Sequence, residues 1–420
     1  MQIPKLTSVI FFCFCLLTSL GCAISSADQG NLSNPKEIIT TEKTGISADT
    51  KSMNPSPKFA ISLFKQVAQT SKQNVFLSPV SVEFALAMLY NGAEGQTKNE
   101  MTNLLLPRPL PLNLFNQQYS QLIKSLTADP VVKLRIANSV WARQDINFQA
   151  SFLERVRTVY SALVARRNFS NPQVRDEINQ WVSKQTEGKI PKIIDEIKRD
   201  DVLFLINAVY FKGAWSKPFD KSLTSNQPFF LTDGKQKPVP MMVQTGDFRY
   251  LESDRWQSVS LPYGDGRFSM YVFLPKPNQQ LSSLISSLST ENWEQWMRSY
   301  QVRQGKVELP KFKLEYGITL NQTLQRLGMQ EAFVRNRANF KSLTAAEVFV
   351  SMVKHKTFVE VNEEGTEAAG ATAIGISVTS VPLPTEPFTM RVDRPFLTVI
   401  RDNQTGAILF MGAIYDVTAQ

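Results

Sequence analysis

The sequence predicts a mixed α+β fold, mainly because of the order in which its patterns occur. Amphipathic helical periodicity is concentrated in the first half of the chain, and short runs rich in β-branched and aromatic residues are concentrated in the second. The two kinds of segment do not alternate regularly, so a βαβ architecture is not expected. The 420 residues are 43% hydrophobic and 10% aromatic, which is enough apolar material for a sizeable core.

Four helices and five strands can be placed from local patterns. The pair Ser78-Pro79 is a helix start signal, because serine is a good N-cap and proline is tolerated in the first turn. The predicted helices are Pro55 to Ala68, Val80 to Tyr90, Ala150 to Val164 and Arg175 to Lys184. The predicted strands are Val202 to Phe211, Phe268 to Leu274, Lys306 to Phe312, Phe396 to Arg401 and Ile408 to Ile414.

Residues 1–22 are typical of a signal peptide. Lys5 precedes an apolar run from Leu6 to Leu20, which is short for a membrane span. Ser19-Leu20-Gly21-Cys22 resembles a bacterial lipobox in which Cys22 is lipidated, although serine stands where leucine is usual. Cleavage after Ala27 also satisfies the small-x-small rule. We favour the lipoprotein, with residues 23–54 as a polar tether and 55–420 as the folded domain, located outside the cytoplasm or secreted.

The composition excludes several kinds of functional site. All three cysteines, Cys13, Cys15 and Cys22, lie in the N-terminal segment, and His355 is the only histidine. The folded domain therefore has no cysteine or paired-histidine zinc site. There is no Gly-x-Ser-x-Gly elbow and no phosphate-binding glycine loop. We expect no catalytic activity, metal or cofactor.

Two further patterns in the sequence have simpler structural explanations. Ser62-Leu63-Phe64-Lys65 matches the Ser-x-x-Lys motif of penicillin-binding proteins, but their other motifs are absent or misplaced, and Leu63 and Phe64 fit a core-facing helix. The net charge of +9 is dispersed among acidic residues. A solvated basic surface explains it better than a nucleic-acid site.

Residues 360–381 are compatible with both a loop and a strand. Between Gly365 and Val381 they contain many small residues, no proline and a single charge, Glu367. In a strand, alternate residues share a face. Thr366 and Ala368 would then begin an uncharged face, and Glu367 would lie on the opposite one.

Several blocks of the sequence resemble the serpin family, in family order over roughly residues 52–420. One block resembles the hinge of the serpin reactive-centre loop, and the others resemble conserved parts of its scaffold. The hinge block is Glu363-Glu364-Gly365-Thr366-Glu367-Ala368-Ala369-Gly370-Ala371-Thr372; the others are residues 74–81, 207–215, 309–312, 393–396 and 409–412. The resemblance implies a single domain with three β-sheets, about nine helices and an exposed loop at about residues 363–390.

The resemblance also implies structural roles for residues far from the loop. A polar cluster beneath the centre of the main sheet, the shutter, would contain Ser78, Ser81, Asn207 and His355. Trp215 would lie at the breach, where the loop first enters the sheet. Lys311 would form an exposed ion pair with Glu363, and such pairs contribute roughly 0–1 kcal/mol.

The implied function is suicide-substrate inhibition of serine proteases. In this mechanism the protease cleaves the loop, is trapped as an acyl-enzyme, and the loop inserts into the main sheet. Family spacing from Gly365 places the scissile bond at Thr379-Ser380, but the long loop leaves Ile376, Val378 and Leu383 open. Because no Lys or Arg lies between Gly365 and Met390, we expect elastase-, subtilisin- or chymotrypsin-like targets.

The protease is the only partner that we expect for this chain. We expect a monomer that binds no nucleic acid. Contact with a membrane would be made only through the lipid on Cys22.

Overall fold

The computed structural model describes residues 57–366 and 386–418. These residues contain nine α-helices: α1 Pro57–Ala68, α2 Pro79–Tyr90, α3 Gly95–Leu105, α4 Leu112–Thr127, α5 Ala150–Tyr160, α6 Gln173–Gln185, α7 Leu281–Ser287, α8 Thr290–Ser299 and α9 Asn321–Arg326. None of these helices is long and apolar enough to cross a membrane.

The same residues contain fifteen strands. They are β1 Val75–Leu77, β2 Val132–Arg143, β3 Leu163–Arg167, β4 Leu203–Ala214, β5 Ser225–Phe230, β6 Gln236–Glu252, β7 Trp256–Tyr263, β8 Phe268–Pro275, β9 Gln301–Pro310, β10 Phe312–Thr319, β11 Met352–Val361, β12 Gly365–Thr366, β13 Phe388–Arg391, β14 Phe396–Asp402 and β15 Ile408–Ile414.

Two predicted boundaries are wrong. The helix expected to reach Val164 ends at Tyr160, because Ser161 adopts the left-handed conformation (φ 50°) and closes it. Leu163 then begins β3, which pairs in parallel with β2. The strand expected from Lys306 to Phe312 is the junction of two strands, since Pro310 ends β9 and Phe312 begins β10.

The central sheet has six strands in the order β10-β11-β12-β4-β2-β3. Nearly every residue of β4 is buried, because both faces of the sheet are covered. On one face, Val174, Ile178 and Val182 of α6 belong to a buried cluster that also contains Phe204 and Ile206 of β4. On the other face, the neighbouring residue Leu205 belongs to the main core, which also contains α2.

The remaining nine strands form one continuous sheet, in which the long strand β6 pairs with three neighbours. Their order is β1-β15-β14-β8-β7-β6-β9-β13, with β5 also paired to β6. β5 pairs with the first residues of β6, from Gln236 to Met241, β9 pairs with it from Met241 to Tyr250, and β7 pairs with its end, from Arg249 to Glu252. The described residues therefore form two hydrogen-bonded sheets where the resemblance implied three, because β6 joins two groups of strands into one sheet.

Candidate functional site

The candidate site is the seam between β4 and β11 in the central sheet. Along the lower part of the seam the two strands pair directly in parallel, from Met352 opposite Phe204 to Phe358 opposite Tyr210. At the top, the two-residue strand β12 lies between them. There Thr366 pairs with both Gly213 of β4 and Val361 of β11. In the lower part of the seam β4 and β11 are paired with each other, and in the upper part the hinge residues Gly365 and Thr366 already lie between them.

The side chain of Thr366 is fully buried at this point. Its hydroxyl lies 2.6 Å from the Tyr263 hydroxyl. A buried polar group is costly unless it is hydrogen-bonded, so Tyr263 provides the partner that lets this threonine lie inside. The hinge residues Glu367, Ala368, Ala369, Gly370, Ala371 and Thr372, the proposed scissile pair Thr379 and Ser380, and the lipidation candidate Cys22 lie outside the described residues.

Directly behind the lower seam, the four predicted shutter residues meet. The Ser78 backbone N–H donates to His355 Nε2 at 3.0 Å. His355 Nδ1 lies 2.5 Å from Asn207 Oδ1, so the proton of this neutral ring is on Nδ1. Asn207 Nδ2 in turn donates to Ser81 Oγ at 2.5 Å. Because His355 is on β11 and Asn207 is on β4, these bonds tie both sides of the seam to the start of α2.

Burial keeps this cluster electrically neutral. His355 is completely enclosed, and this burial lowers its pKa to about 3. The imidazole is therefore uncharged at neutral pH and accepts the Ser78 N–H. The Ser78 hydroxyl oxygen is also buried, and the described residues offer it no hydrogen-bond partner. An unpaired buried hydroxyl costs about 1–3 kcal/mol, so the closed cluster is not fully satisfied.

Sequence reasoning missed a fifth member of the cluster, Asn138. Its Oδ1 accepts from Asn207 Nδ2 at 2.6 Å, and it pairs with Asn207 across the β2–β4 ladder. An asparagine within the apolar strand β2 is the signal that could have revealed it, since a buried amide needs a partner.

At the top of the seam, Trp215 links the loop base to the core. Its ring stacks on Tyr263, with centroids 4.4 Å apart and planes 13° apart. Its indole Nε1 donates to the Asn362 carbonyl at 2.9 Å, and its backbone N–H donates to the Glu364 carbonyl at 3.0 Å. Trp215 therefore supports the turn that leads into β12.

The expected ion pair between Lys311 and Glu363 is present, but it is not exposed as predicted. Lys311 Nζ lies 2.9 Å from Glu363 Oε2, and the Glu363 side chain is only 6% exposed. Thr224 also donates to this carboxylate at 2.9 Å. Burial alone would raise the pKa of Glu363, but the Lys311 and Thr224 hydrogen bonds and a backbone N–H hold it below its usual value.

The other end of the loop is anchored at β13, which the sequence did not reveal. Phe388 stacks on Tyr250 with centroids 3.9 Å apart. It lies directly over Gly305, where an added Cβ would come within 2.3 Å of the Phe388 ring. Arg391 forms an ion pair with the buried Glu308, which also binds Lys306 at 2.6 Å. The two anchored ends of the loop are therefore Thr366 and β13.

A family model described as "Serpin (serine protease inhibitor)" matches residues 55–417. Because this match covers most of the chain, the chain belongs to the serpin family of serine protease inhibitors. The mixed α+β fold predicted from the sequence is confirmed by this match and by the related structures. The match is to inhibitors and not to a class of enzymes.

Named relatives and solved structures support the same assignment. Human leukocyte elastase inhibitor is 36% identical over 374 residues, which cover 84% of this chain and 96% of that protein. The thermophilic serpin tengpin in its native state aligns with a TM-score of 0.79 and 31% identity, covering 88% of this chain and 94% of that one. Human thyroxine-binding globulin in complex with thyroxine aligns with a TM-score of 0.78 and 30% identity, covering 88% and 98%.

Proposed function

We propose that this serpin is an inhibitory member of the family that traps its target protease as a covalent acyl-enzyme. The loop is cleaved, its hinge enters the seam between β4 and β11 as a new strand, and the attached protease is carried along before water releases it. The shutter and Trp215 hold the seam until that moment.

The observation that carries this proposal is the state of the seam. Gly365 and Thr366 already pair with β4, so an entry point for the following residues exists. Below them, β4 and β11 are joined by one ladder and a neutral polar cluster. The hinge that would follow has an uncharged alternating face from Thr366 to Val378. About thirteen inserted residues would form a strand of roughly 43 Å, each contributing a ladder hydrogen bond of about 1 kcal/mol.

The proposed scissile bond is Thr379-Ser380. The absence of Lys and Arg between Gly365 and Met390 argues against trypsin-like targets, whose acidic pockets require a cation. The relative named leukocyte elastase inhibitor agrees with an elastase-like target. Subtilisin-like and chymotrypsin-like proteases fit the same small and apolar side chains.

The proposal includes export as a monomeric envelope lipoprotein. Residues 1–22 would act as the signal peptide, Cys22 would be lipidated, and residues 23–54 would tether the inhibitor. In cells that express the full chain, labelled palmitate should be incorporated by the wild type and not by Cys22→Ser. Secretion of an unlabelled protein starting after Ala27 would contradict the lipid anchor while leaving export intact.

The inhibitory function is tested by mixing the purified protein with elastase or subtilisin. We expect a complex that survives SDS and has the summed mass of protease and inhibitor. The C-terminal peptide released from the inhibitor should begin at Ser380 when it is identified by mass spectrometry. Trypsin serves as the control and should give no complex. Clean loop cleavage without any complex would falsify the inhibitory function, because it would show the loop to be an ordinary substrate.

A further inference from the structure

A second buried polar network lies behind the central sheet, away from the shutter. It joins α2 to α4 and α5 and consists of Glu83, Asn91, Asn116, Tyr119 and Tyr160, all of them buried. We call these five residues the α2–α4–α5 network. None of them belongs to the sequence blocks on which the family resemblance was based.

Four side-chain pairs connect the helices of the network, and one of them is the 3.2 Å hydrogen bond from Asn91 Nδ2 to the Tyr160 hydroxyl. On α2, the Glu83 carboxylate accepts a 2.8 Å hydrogen bond from the Tyr119 hydroxyl of α4. Two turns further along, Asn91 and Asn116 exchange amide hydrogen bonds of 3.0 and 2.8 Å. The Tyr160 hydroxyl of α5 donates to Asn116 Oδ1 at 2.9 Å. Every one of these bonds crosses from one helix to another.

α4 and α5 are attached to the β4 side of the seam, whereas α2 also packs on the nine-stranded sheet. α4 leads directly into β2, and α5 connects β2 to β3. β2 is paired with β4 along nearly its whole length, from Val132 to Ala142. α2 packs on α1 and on β15 of the nine-stranded sheet, and it also contacts β4 and β2. Ser78, just before α2, is hydrogen-bonded to His355 of β11, and Ser81 of α2 is hydrogen-bonded to Asn207 of β4. Separation of β4 from β11 must therefore break the contacts of α2 with one side, and if α2 stays on the nine-stranded sheet, β2 and the helices fused to it are displaced relative to α2.

The size of that displacement decides what happens to the network. Admitting one strand separates β4 from β11 by an additional strand spacing, about 4.8 Å. A hydrogen bond is lost when donor and acceptor are more than about 3.5 Å apart. Bonds between α2 and the helices attached to β2 would therefore break on full opening if α2 stays on the nine-stranded sheet, and partially broken buried networks are costly.

We propose that the α2–α4–α5 network is a second lock on sheet opening, which must break before the loop can insert fully. The proposal rests on the proposed inhibitory function, since that function requires the sheet to open. It assigns positioning roles to residues that lie away from both the loop and the shutter. The shutter holds the two strands themselves, and this network holds the helices that must travel with one of them.

The test measures sheet opening directly, without a protease. A fluorescent peptide with the sequence of residues 366–378 is incubated with the purified full chain, and its uptake is followed by native electrophoresis. Asn91→Leu keeps the side-chain volume and removes the bonds to Asn116 and Tyr160. We expect it to take up the peptide about tenfold faster than the wild type, the effect of losing roughly one net hydrogen bond.

Thr102→Val is the matched control. The Thr102 hydroxyl is also buried and bonds to the Tyr90 hydroxyl, but this contact joins α3 to α2 and does not reach the helices fused to β2. Peptide uptake by both variants is compared after their free energies of unfolding in urea have been measured. If Asn91→Leu takes up the peptide no faster than an equally destabilised Thr102→Val, the proposal that the α2–α4–α5 network restrains sheet opening is wrong.

A milder variant protects the test against misfolding. Tyr160→Phe removes one hydroxyl and keeps the ring, and we expect about threefold faster uptake. If uptake is fast in every variant and in the wild type, the lock is wrong but the inhibitory function stands. If neither the wild type nor any variant takes up the peptide, the sheet does not accept a strand, which contradicts the inhibitory function as well.

Discussion

The upper and lower halves of the β4–β11 seam are held together by different kinds of interaction. In the lower half, strand pairing is reinforced by buried, neutral hydrogen bonds through His355 and Asn207. In the upper half, β12 is already inserted and is surrounded by the stacked rings of Trp215 and Tyr263. The upper half contains hydrogen bonds as well, since Thr366 pairs with Tyr263 and Trp215 donates to Asn362, but there β4 and β11 are already separated by β12. Insertion of further residues would have to separate the strands of the lower half, which still pair directly.

The largest expected effect is on thermal stability, when the cleaved loop inserts as a strand into the lower half of the β4–β11 seam. Proteolytic cleavage of the loop should allow a strand of about ten residues to form there, gaining on the order of 10 kcal/mol in ladder hydrogen bonds. We expect the melting temperature to rise by roughly 10 to 20 °C, measured by calorimetry before and after cleavage. Protein cut instead between residues 23 and 54 is the control. An unchanged melting temperature after loop cleavage would show that the lower half does not open.

The next effect concerns the residue that already occupies the upper half. Thr366→Arg places a long cation where the wild-type side chain is fully buried against Tyr263, and a buried unpaired charge is costly. We expect at least about tenfold less SDS-stable complex with elastase and a corresponding gain in cleaved inhibitor. Thr366→Val keeps the shape without the hydroxyl and should retain most of the complex. Full inhibition by Thr366→Arg would show that Thr366 does not need to be buried during insertion.

The protonation of His355 tests the lower half. Because burial lowers its pKa to about 3, the unfolded chain binds a proton at pH 5 that the folded protein does not, and folding loses stability as the pH falls below 6.5. Between pH 7 and pH 5 this costs about 2 kcal/mol. The free energy of unfolding of the wild type minus that of His355→Gln should fall by this amount in urea titrations.

Glu83 provides the control of opposite sign. Burial raises its pKa to about 7, so its contribution to stability falls as the pH rises from 4.5 to 7. Over the same pH range, the difference between wild type and Glu83→Gln should therefore rise as the pH is lowered. A pH-independent difference for His355→Gln would mean that the imidazole is charged or hydrated in the folded state.

The features of the seam that depend on local sequence signals, or on blocks shared with the family, can be predicted from the sequence. The Ser78-Pro79 start signal correctly placed α2, and the shutter residues meet as the resemblance implied. The misplaced end of α5 depended on the left-handed backbone of Ser161, which serine does not signal. The burial of Glu363 and the seating of Phe388 over Gly305 depend on elements far away in the sequence.

The α2–α4–α5 network could have been suspected but not resolved from the sequence. Glu83 is the only charged residue in the otherwise apolar helix α2, and a charge in a buried helix requires a partner. Nothing in the sequence identifies Tyr119 as that partner, because helix periodicity places the tyrosine on the core face without specifying its neighbour. Partner choice is a property of tertiary packing.

The smallest expected effect concerns the ion pair beside the upper half. Lys311→Ala removes the cation from the buried Glu363 and leaves the Thr224 hydroxyl as its side-chain partner. We expect a loss of about 1 kcal/mol in the free energy of unfolding at pH 7. Since the pKa of Glu363 is lowered in the folded wild type, the contribution of Glu363 to stability is present above pH 4.5 and disappears as the pH falls below that value.

Lys221→Ala is the control for Lys311→Ala, because the partner of Lys221, Glu364, is exposed. This variant should lose less free energy of unfolding than Lys311→Ala. Equal losses for the two variants would show that the burial of Glu363 adds nothing to the strength of its ion pair with Lys311.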